Sequence, residues 1–302
     1  MLEYRTEYLI FEAPTLLADY PPGFVHPNKV AVYKVGGPQT KGTINVSRWR
    51  EMPLPVMLPP KRSAKCQSGF YPYSEDRSDV WVNFADPNLF GFYGTPLFAQ
   101  DEMQVLEHPA LASIREALED MDVPTLTVEN GQPTPVYIEG VERRVAIDVD
   151  PCPTRPHGLY GRYFSLAPRT DVRAATERLT PTLSNILAIA APCGGRGNYT
   201  KEEMQGILST AYTGFAPLQG KTIHSGFWGC GAFGGNRMLM VILQVLAARL
   251  AGVDIVLHYG DSSGKQPCAK ALAFTKTLTG SVDSILDDLV GMEFKWRVGN
   301  GT

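Results

Sequence analysis

The sequence predicts an α/β fold with helices on the faces of a central sheet, and three observations predict it. From Asp79 onward, apolar runs of strand length alternate with amphipathic stretches of helix length, the pattern of a sheet covered on its faces. Residues 221–258 read in order as a strand end (KTIHSG), a glycine-rich loop (GFWGCGAFGGN), a strongly apolar helix (RMLMVILQVLAARLAG) and a buried strand (VDIVLH), which together make a parallel crossover unit. The composition, 302 residues with 44% hydrophobic and 20% charged content, is that of an ordinary globular chain.

The elements follow in order. In residues 1–79, prolines such as Pro14, Pro21, Pro22, Pro53, Pro59 and Pro60 punctuate short apolar pieces such as KVAVYKV, which predicts an N-terminal accessory layer of short strands and loops. Residues 80–302 form the main domain. Its first strand is DVWVNFA, and HPALASIREALEDM is a helix. TLTVEN and PVYIEGVERRVAIDVD are β pieces joined at Asn130-Gly131 as an inserted hairpin. LSNILAIAAP is a buried strand, and the capping-box spacing from Thr200 to Glu203 starts a helix that reaches Phe215. Gly252 closes the apolar helix before the last strand, and the chain ends in a short VGNGT tail.

Lys and Arg total 28 against 31 Asp and Glu, a net charge of −3, so there is no basic excess for phosphate-driven nucleic-acid binding. The first residues carry charges at Glu3, Arg5, Glu7 and Glu12 and do not read as a secretory leader. The apolar run Met238–Ala251 is interrupted by Gln244 and Arg249 and is too short to span a bilayer. Five cysteines, widely spaced and without CxxC pairs, point to a reducing compartment and no structural zinc. A cytoplasmic location is the expectation.

Chemistry concentrates in two segments. Gly226, Gly229, Gly231, Gly234 and Gly235 precede a helix directly. Glycines there let backbone N–H groups converge on an anion, with a diphosphate as natural guest. The competing reading is a tight turn that packs the helix on the sheet. No Gly-Lys-Ser/Thr follows, so this is no Walker loop. The second segment runs from Val82-Asn83-Phe84-Ala85-Asp86 through Phe90-Gly91-Phe92 to Gln100-Asp101-Glu102. Adjacent acids at a helix start are helix-dipole partners or solvated charges unless a substrate meets them.

The run Trp228-Gly229-Cys230-Gly231-Ala232-Phe233-Gly234-Gly235 resembles the WGCGAFGG signature of poly(ADP-ribose) glycohydrolases, a branch of the macrodomain fold. The resemblance extends over residues 200–261 and 82–102. It implies a macrodomain-like three-layer α/β/α sandwich with a mixed central sheet. By similarity, Gly229 to Gly235 hold the diphosphate of ADP-ribose, Phe233 lies against the ribose next to the scissile bond, and Trp228, Cys230, Ala232 and Asn236 complete the loop. Tyr259, in Leu257-His258-Tyr259-Gly260-Asp261, packs on the adenine by the same similarity or is a core tyrosine. Asp86 and Gly91 match ribose-contacting positions. Gln100-Asp101-Glu102 matches the family's Gln-Glu-Glu, which implies Glu102 as the catalytic acid/base and Asp101 in support. Releasing an alcohol from an anomeric carbon requires a proton on the leaving oxygen and then a base for water, and one carboxyl group serves both in turn.

Several positions besides Asp101 depart from the family. Its triple glycine reads Phe90-Gly91-Phe92, its strand-end Asn is Asp86, the Asn before the signature Trp is Phe227, and the Asp after the last Gly-Gly is Asn236. Two rings at the ribose turn leave less room for a polymer chain. The expected function is therefore an ADP-ribosyl glycohydrolase acting on mono-ADP-ribosylated protein through an O-linkage, with no cofactor or metal and with ADP-ribose and modified protein as partners. The alternatives are a non-catalytic ADP-ribose reader, and a hydrolase of poly(ADP-ribose) or of an ADP-ribosylated nucleotide. His108 and His224 flank the site segments as candidates or structural residues, Cys230 is a packing residue, and Arg143-Arg144 and Lys61-Arg62 read as solvated pairs.

Overall fold

The computed structural model describes residues 1–298, so most of the VGNGT tail lies outside the described residues. The strands are β1 (Arg5–Glu12), β2 (Thr43–Trp49), β3 (Ala64–Gln67), β4 (Asp79–Phe84), β5 (Val128–Glu129), β6 (Gln132–Pro133), β7 (Val136–Ile147), β8 (Thr176–Ile189), β9 (Thr222–Gly226) and β10 (Asp254–His258). The α-helices are α1 (Ala13–Asp19), α2 (Pro27–Gly36), α3 (Gln100–Glu107), α4 (Ala110–Asp120), α5 (Arg162–Leu166), α6 (Arg169–Ala174), α7 (Lys201–Phe215), α8 (Arg237–Ala251), α9 (Ser262–Thr275) and α10 (Val282–Gly291).

An eight-stranded sheet runs in the order β1-β2-β7-β8-β4-β9-β10-β3. The five strands from β8 to β3 are parallel, and β7, β2 and β1 continue the sheet antiparallel. Strand β4 shows how its faces are divided. Val80 and Val82 pack into a core shared with α7, α8, α9 and α10, while Trp81, between them, packs into a second core with α1 and α4. Alternation along a strand buried on both sides thus yields the three-layer α/β/α sandwich. A third cluster joins α2, α5 and α6 to the far half of β7.

Residues 1–79 are not a separate accessory layer of this sheet, since their helices α1 and α2 pack into the cores on its face. These residues supply both edges of the sheet, β1 and β2 on one side and β3 on the other. Strand β1 alternates half-buried and exposed positions, as an edge strand does, and β3 has only four residues, which is why proline punctuation concealed them. The Asn130-Gly131 turn is real, with φ of 52° and 79°, but it joins only the two-residue strands β5 and β6. PVYIEGVERRVAI instead becomes β7, an interior strand between β2 and β8.

Two other expectations are corrected. Cys66 of β3 and Cys268 of α9 form a disulfide across a sequence separation of 202, a pairing that spacing alone could not show, so five free thiols in a reducing compartment is not what the chain displays. Arg143 and Arg144 are not solvated. Arg143 makes a bidentate pair with the buried Glu107, and Arg144 pairs with Glu142 while donating to the Gly36 carbonyl. Strand alternation sends the two guanidinium groups to opposite faces, each with a carboxylate that offsets its burial. No helix among the described residues is long and apolar enough to cross a membrane.

Because β2 covers the edge of β7 and buries Ile44 and Val46, removing residues 1–50 is expected to abolish the cooperative thermal transition and expose dye-binding apolar surface. Calorimetry checks this: a sharp transition retained by the shortened chain would show that the N-terminal strands are dispensable.

Candidate active site

Parallel pairing brings the carboxyl ends of β8, β4, β9, β10 and β3 to one edge of the sheet, the edge where open α/β sheets bind ligands. β4 and β9 are neighbours, and a Cβ built on Gly226 would lie 3.5 Å from Cζ of Phe84. The segment after β4 and the glycine loop after β9 therefore start side by side.

The first of these leads to α3. Gln100 fixes it: its Oε1 accepts the Phe84 N–H at 2.8 Å, and its Nε2 donates to the Val82 carbonyl at 3.1 Å. One amide thereby takes the place of a neighbouring strand at the end of β4 and docks the helix start there. Asp101 and Glu102 follow, 5% and 2% exposed. The Asp101 carboxylate accepts from Asn83 Nδ2 at 3.1 Å. Glu102 turns back to accept the Ala99 N–H at 2.8 Å, closing the first turn of the helix. Burial, reinforced by the charge of Glu102, pushes Asp101 well above the usual carboxylate range. The Asp101 carboxyl therefore keeps its proton to higher pH than a solvated one. A pair of this kind can give a proton to a leaving oxygen and later take one from water.

Lys29, from α2, is wholly buried near them and donates to the Tyr93 carbonyl at 2.8 Å. Burial lowers its pKa to about 8 against the opposing pull of Glu102 and Asp101. Sequence reasoning missed it, because Lys29 in PNKVAVYKV has the same local pattern as the exposed Lys34. It missed Asn83 as well, although the alternation of β4 could have placed that side chain on the Trp81 face.

The glycine loop is built from the close approach of its own backbone. Gly229 has φ 74°, and a Cβ there would lie 2.6 Å from Ala191 Cβ; one on Gly235 would lie 2.7 Å from the Gly229 carbonyl. The Trp228 indole donates to the Ile189 carbonyl and ties the loop to the end of β8. Cys230 is buried, and burial raises its thiol pKa, so it packs rather than reacts. Gly235 N–H donates to Gly229 and Gly234 N–H to Gly231. Asn236 Oδ1 caps Met238 and Leu239. Among the loop N–H groups left with no hydrogen-bond acceptor among the described residues is a consecutive run of three, on Gly231, Ala232 and Phe233. Gly231 and Ala232 are exposed. The loop tip, not the capped helix end, thus carries the anion-binding capacity.

The other expected residues divide. Asp86 folds back to accept the Asn88 N–H at 3.0 Å. Gly91 is held in a turn, where a Cβ would meet the Asn88 carbonyl at 3.0 Å. Phe90, with φ 53°, points into the α4 core with no exposure, whereas Phe92 is 44% exposed. The expectation that both rings crowd the ribose turn therefore holds for the placement of Phe92 alone, since the left-handed backbone at Phe90 turns its side chain inward. Tyr259, half-buried at the end of β10, donates its N–H to the Gln67 carbonyl. His108 is fully buried between the Gln104 carbonyl and Ser184, and burial lowers its pKa to about 3. His224 bonds His258 and faces Asp79 at 3.3 Å. Both histidines are structural.

Comparison with known proteins finds similarity over part of the chain. Residues 156–266, which include β8, α7, β9, the glycine loop, α8 and β10, match the family model described as poly(ADP-ribose) glycohydrolase (PARG), macro domain fold. Similar solved structures include the poly(ADP-ribose) glycohydrolase of Deinococcus radiodurans in complex with ADP-ribose, at 14% identity and TM-score 0.39, covering 90% of this chain and 94% of that one. The Thermomonospora curvata enzyme bound to the inhibitor ADP-HPD is similar at 16% identity and TM-score 0.42, covering 70% and 78%. The family match spans β9, the glycine loop and β10, the unit that the fold sets beside the carboxyl pair, and over these residues the chain is similar to the macro domain of poly(ADP-ribose) glycohydrolases.

Proposed function

We propose that this protein removes a single ADP-ribose from modified protein by hydrolysing the bond between the anomeric carbon C1'' and an acceptor oxygen. The observation that carries this reading is the convergence, at one sheet edge, of a buried carboxyl pair and a loop tip with three free N–H groups. The loop donors would receive the diphosphate, and Tyr259 the adenine side. In the first step Glu102 gives its proton to the leaving oxygen as the C1''–O bond breaks. In the second, a water attacks C1'' and returns a proton to the Glu102 carboxylate, restoring the starting state. Asp101, held by Asn83, keeps a proton toward neutral pH and passes it to Glu102 before the first step. The remote adenine and diphosphate would anchor the substrate while the reacting carbon is oriented.

Preference for a single unit over the polymer rests on Phe92, whose ring projects outward from the turn beside Gly91. Next to that turn lies a cleft of about 580 Å³ whose lining includes His26, Gly91, Tyr93 and Glu116, room for an acceptor side chain. A reader that binds without cleaving is favoured by one observation, the engagement of Glu102 with Ala99 N–H; catalysis requires that bond to be exchanged for the substrate.

Glu102→Gln is expected to lower turnover of mono-ADP-ribosylated protein by about 10²- to 10⁴-fold while leaving ADP-ribose affinity within a few fold by calorimetry. Full turnover by the variant would move the acid elsewhere. Tight binding without turnover on Ser-, Thr-, Arg-, Asp/Glu- or nucleobase-linked substrates would establish the reader.

Asp101 yields a stability test. Its folded pKa lies above the unfolded value, so once pH exceeds the ordinary carboxylate range the folded chain holds a proton that the unfolded chain has lost. Stability therefore falls as pH rises from that point through the folded pKa. Asp101→Asn removes this loss while keeping an acceptor for Asn83. Its melting temperature is expected to exceed that of the wild type at pH 8, with the gap closing as pH falls toward 4. A gap independent of pH would mean that Asp101 is ionised in the fold.

A further inference from the structure

The C-terminal segment 294–298 is threaded between the loop before α7 and the glycine loop. Tyr199 N–H donates to the Phe294 carbonyl and Trp296 N–H to Gly197, both at 2.9 Å. The Trp296 ring stacks on Tyr199 at 4.1 Å and its Nε1 donates to Glu203. Arg297 N–H donates to the Gly234 carbonyl at 2.8 Å. Gly195 leaves room for this arrangement, since a Cβ there would lie 2.0 Å from the Trp296 indole. The strap is therefore fastened to the loop that carries the three free N–H groups.

We infer that Arg297 is the cationic ligand of the diphosphate, delivered to the loop by this strap. The inference deepens the proposed ADP-ribose site and rests on that reading. Two observations carry it. The Arg297 side chain lies along Gly234: Cγ is 3.1 Å, and Nε and Cζ are 3.9 Å, from the position a Cβ on Gly234 would occupy. The residue is exposed and makes no ion pair among the described residues, so its charge is free for a ligand. A planar guanidinium suits paired phosphate oxygens. Backbone donors alone bring no net charge to a doubly anionic group, and a fixed cation at their side complements them.

The second observation explains a departure from the family. Asn236 stands where the family has Asp. Its Oδ1 caps α8, as an Asp would, but its Nδ2 donates to the carbonyls of Val298 at 2.8 Å and Lys295 at 3.4 Å. A carboxylate has no donor to offer. The substitution thus couples the start of α8 to the strap that carries Arg297.

Calorimetry with ADP-ribose and with adenosine, which lacks the diphosphate, tests this. Arg297 has φ 62°, so Arg297→Gly removes the charge without backbone strain. It is expected to weaken ADP-ribose binding by about 10- to 100-fold, the range for a charged hydrogen bond, and to leave adenosine affinity and melting temperature unchanged. Arg297→Lys recovers part of the loss. Asn236→Asp keeps the helix cap but loses the strap, and weakens ADP-ribose in the same ligand-selective way. Wild type that binds ADP-ribose while Arg297→Gly binds it equally well overturns the role of Arg297 and leaves the site standing. Wild type that does not bind ADP-ribose at millimolar concentration overturns the site itself, and this inference with it.

Discussion

The parallel pairing of β4 with β9 is the constraint on which the site depends. Parallel neighbours must run in the same direction, so the segments that leave them start at the same sheet edge. One segment ends in the carboxyl pair and the other is the glycine loop, and the chain separation between them, more than a hundred residues, is closed by strand register alone. Gln100 extends the constraint one step outward. By bonding both the Phe84 N–H and the Val82 carbonyl, it makes the start of α3 an appendage of β4, so Asp101 and Glu102 are placed by the sheet and not by a free loop.

Burying two carboxyls side by side is costly, and the surrounding structure shows how that cost is met. Asn83 and the Ala99 N–H supply donors, and the buried Lys29 brings a positive charge from the N-terminal region. The same region grips the turn that contains Gly91. Gly94 accepts from the N–H groups of Val25 and His26, and Tyr93 is fixed between the Gly23 N–H and Glu116. The first 79 residues are thus part of the sheet edges and also of the wall behind the acid pair. A site with buried charges needs such support, because one group left unpaired in a low-dielectric setting costs more than the pair itself contributes.

The glycine loop illustrates a division of labour between conformation and charge. Its glycines are required by close backbone approach at Gly229 and Gly235, and its own turns consume several N–H groups, leaving those of residues 231–233 facing outward. Asn236 uses its side chain to cap α8, so the helix itself contributes a dipole but not its first donors.

By itself the sequence determined the α/β class, the elements of the crossover unit at 222–258, the helix start at Thr200, the glycine loop and the Gln100-Asp101-Glu102 run. Each of these is written in short-range periodicity, capping chemistry or a contiguous motif, which needs no distant partner to be read. Tertiary structure alone decided that residues 1–79 form both sheet edges, that PVYIEGVERRVAI is an interior strand, that Cys66 meets Cys268, that Arg143 and Arg144 are buried with carboxylates, that Phe90 points inward while Phe92 does not, and that Lys29 and Arg297 approach the two halves of the site. Those facts depend on pairings between residues far apart in the chain. A lysine on an amphipathic helix or an arginine near a terminus has the same local pattern whether it faces water or a carboxylate, and only the register of the sheet tells them apart.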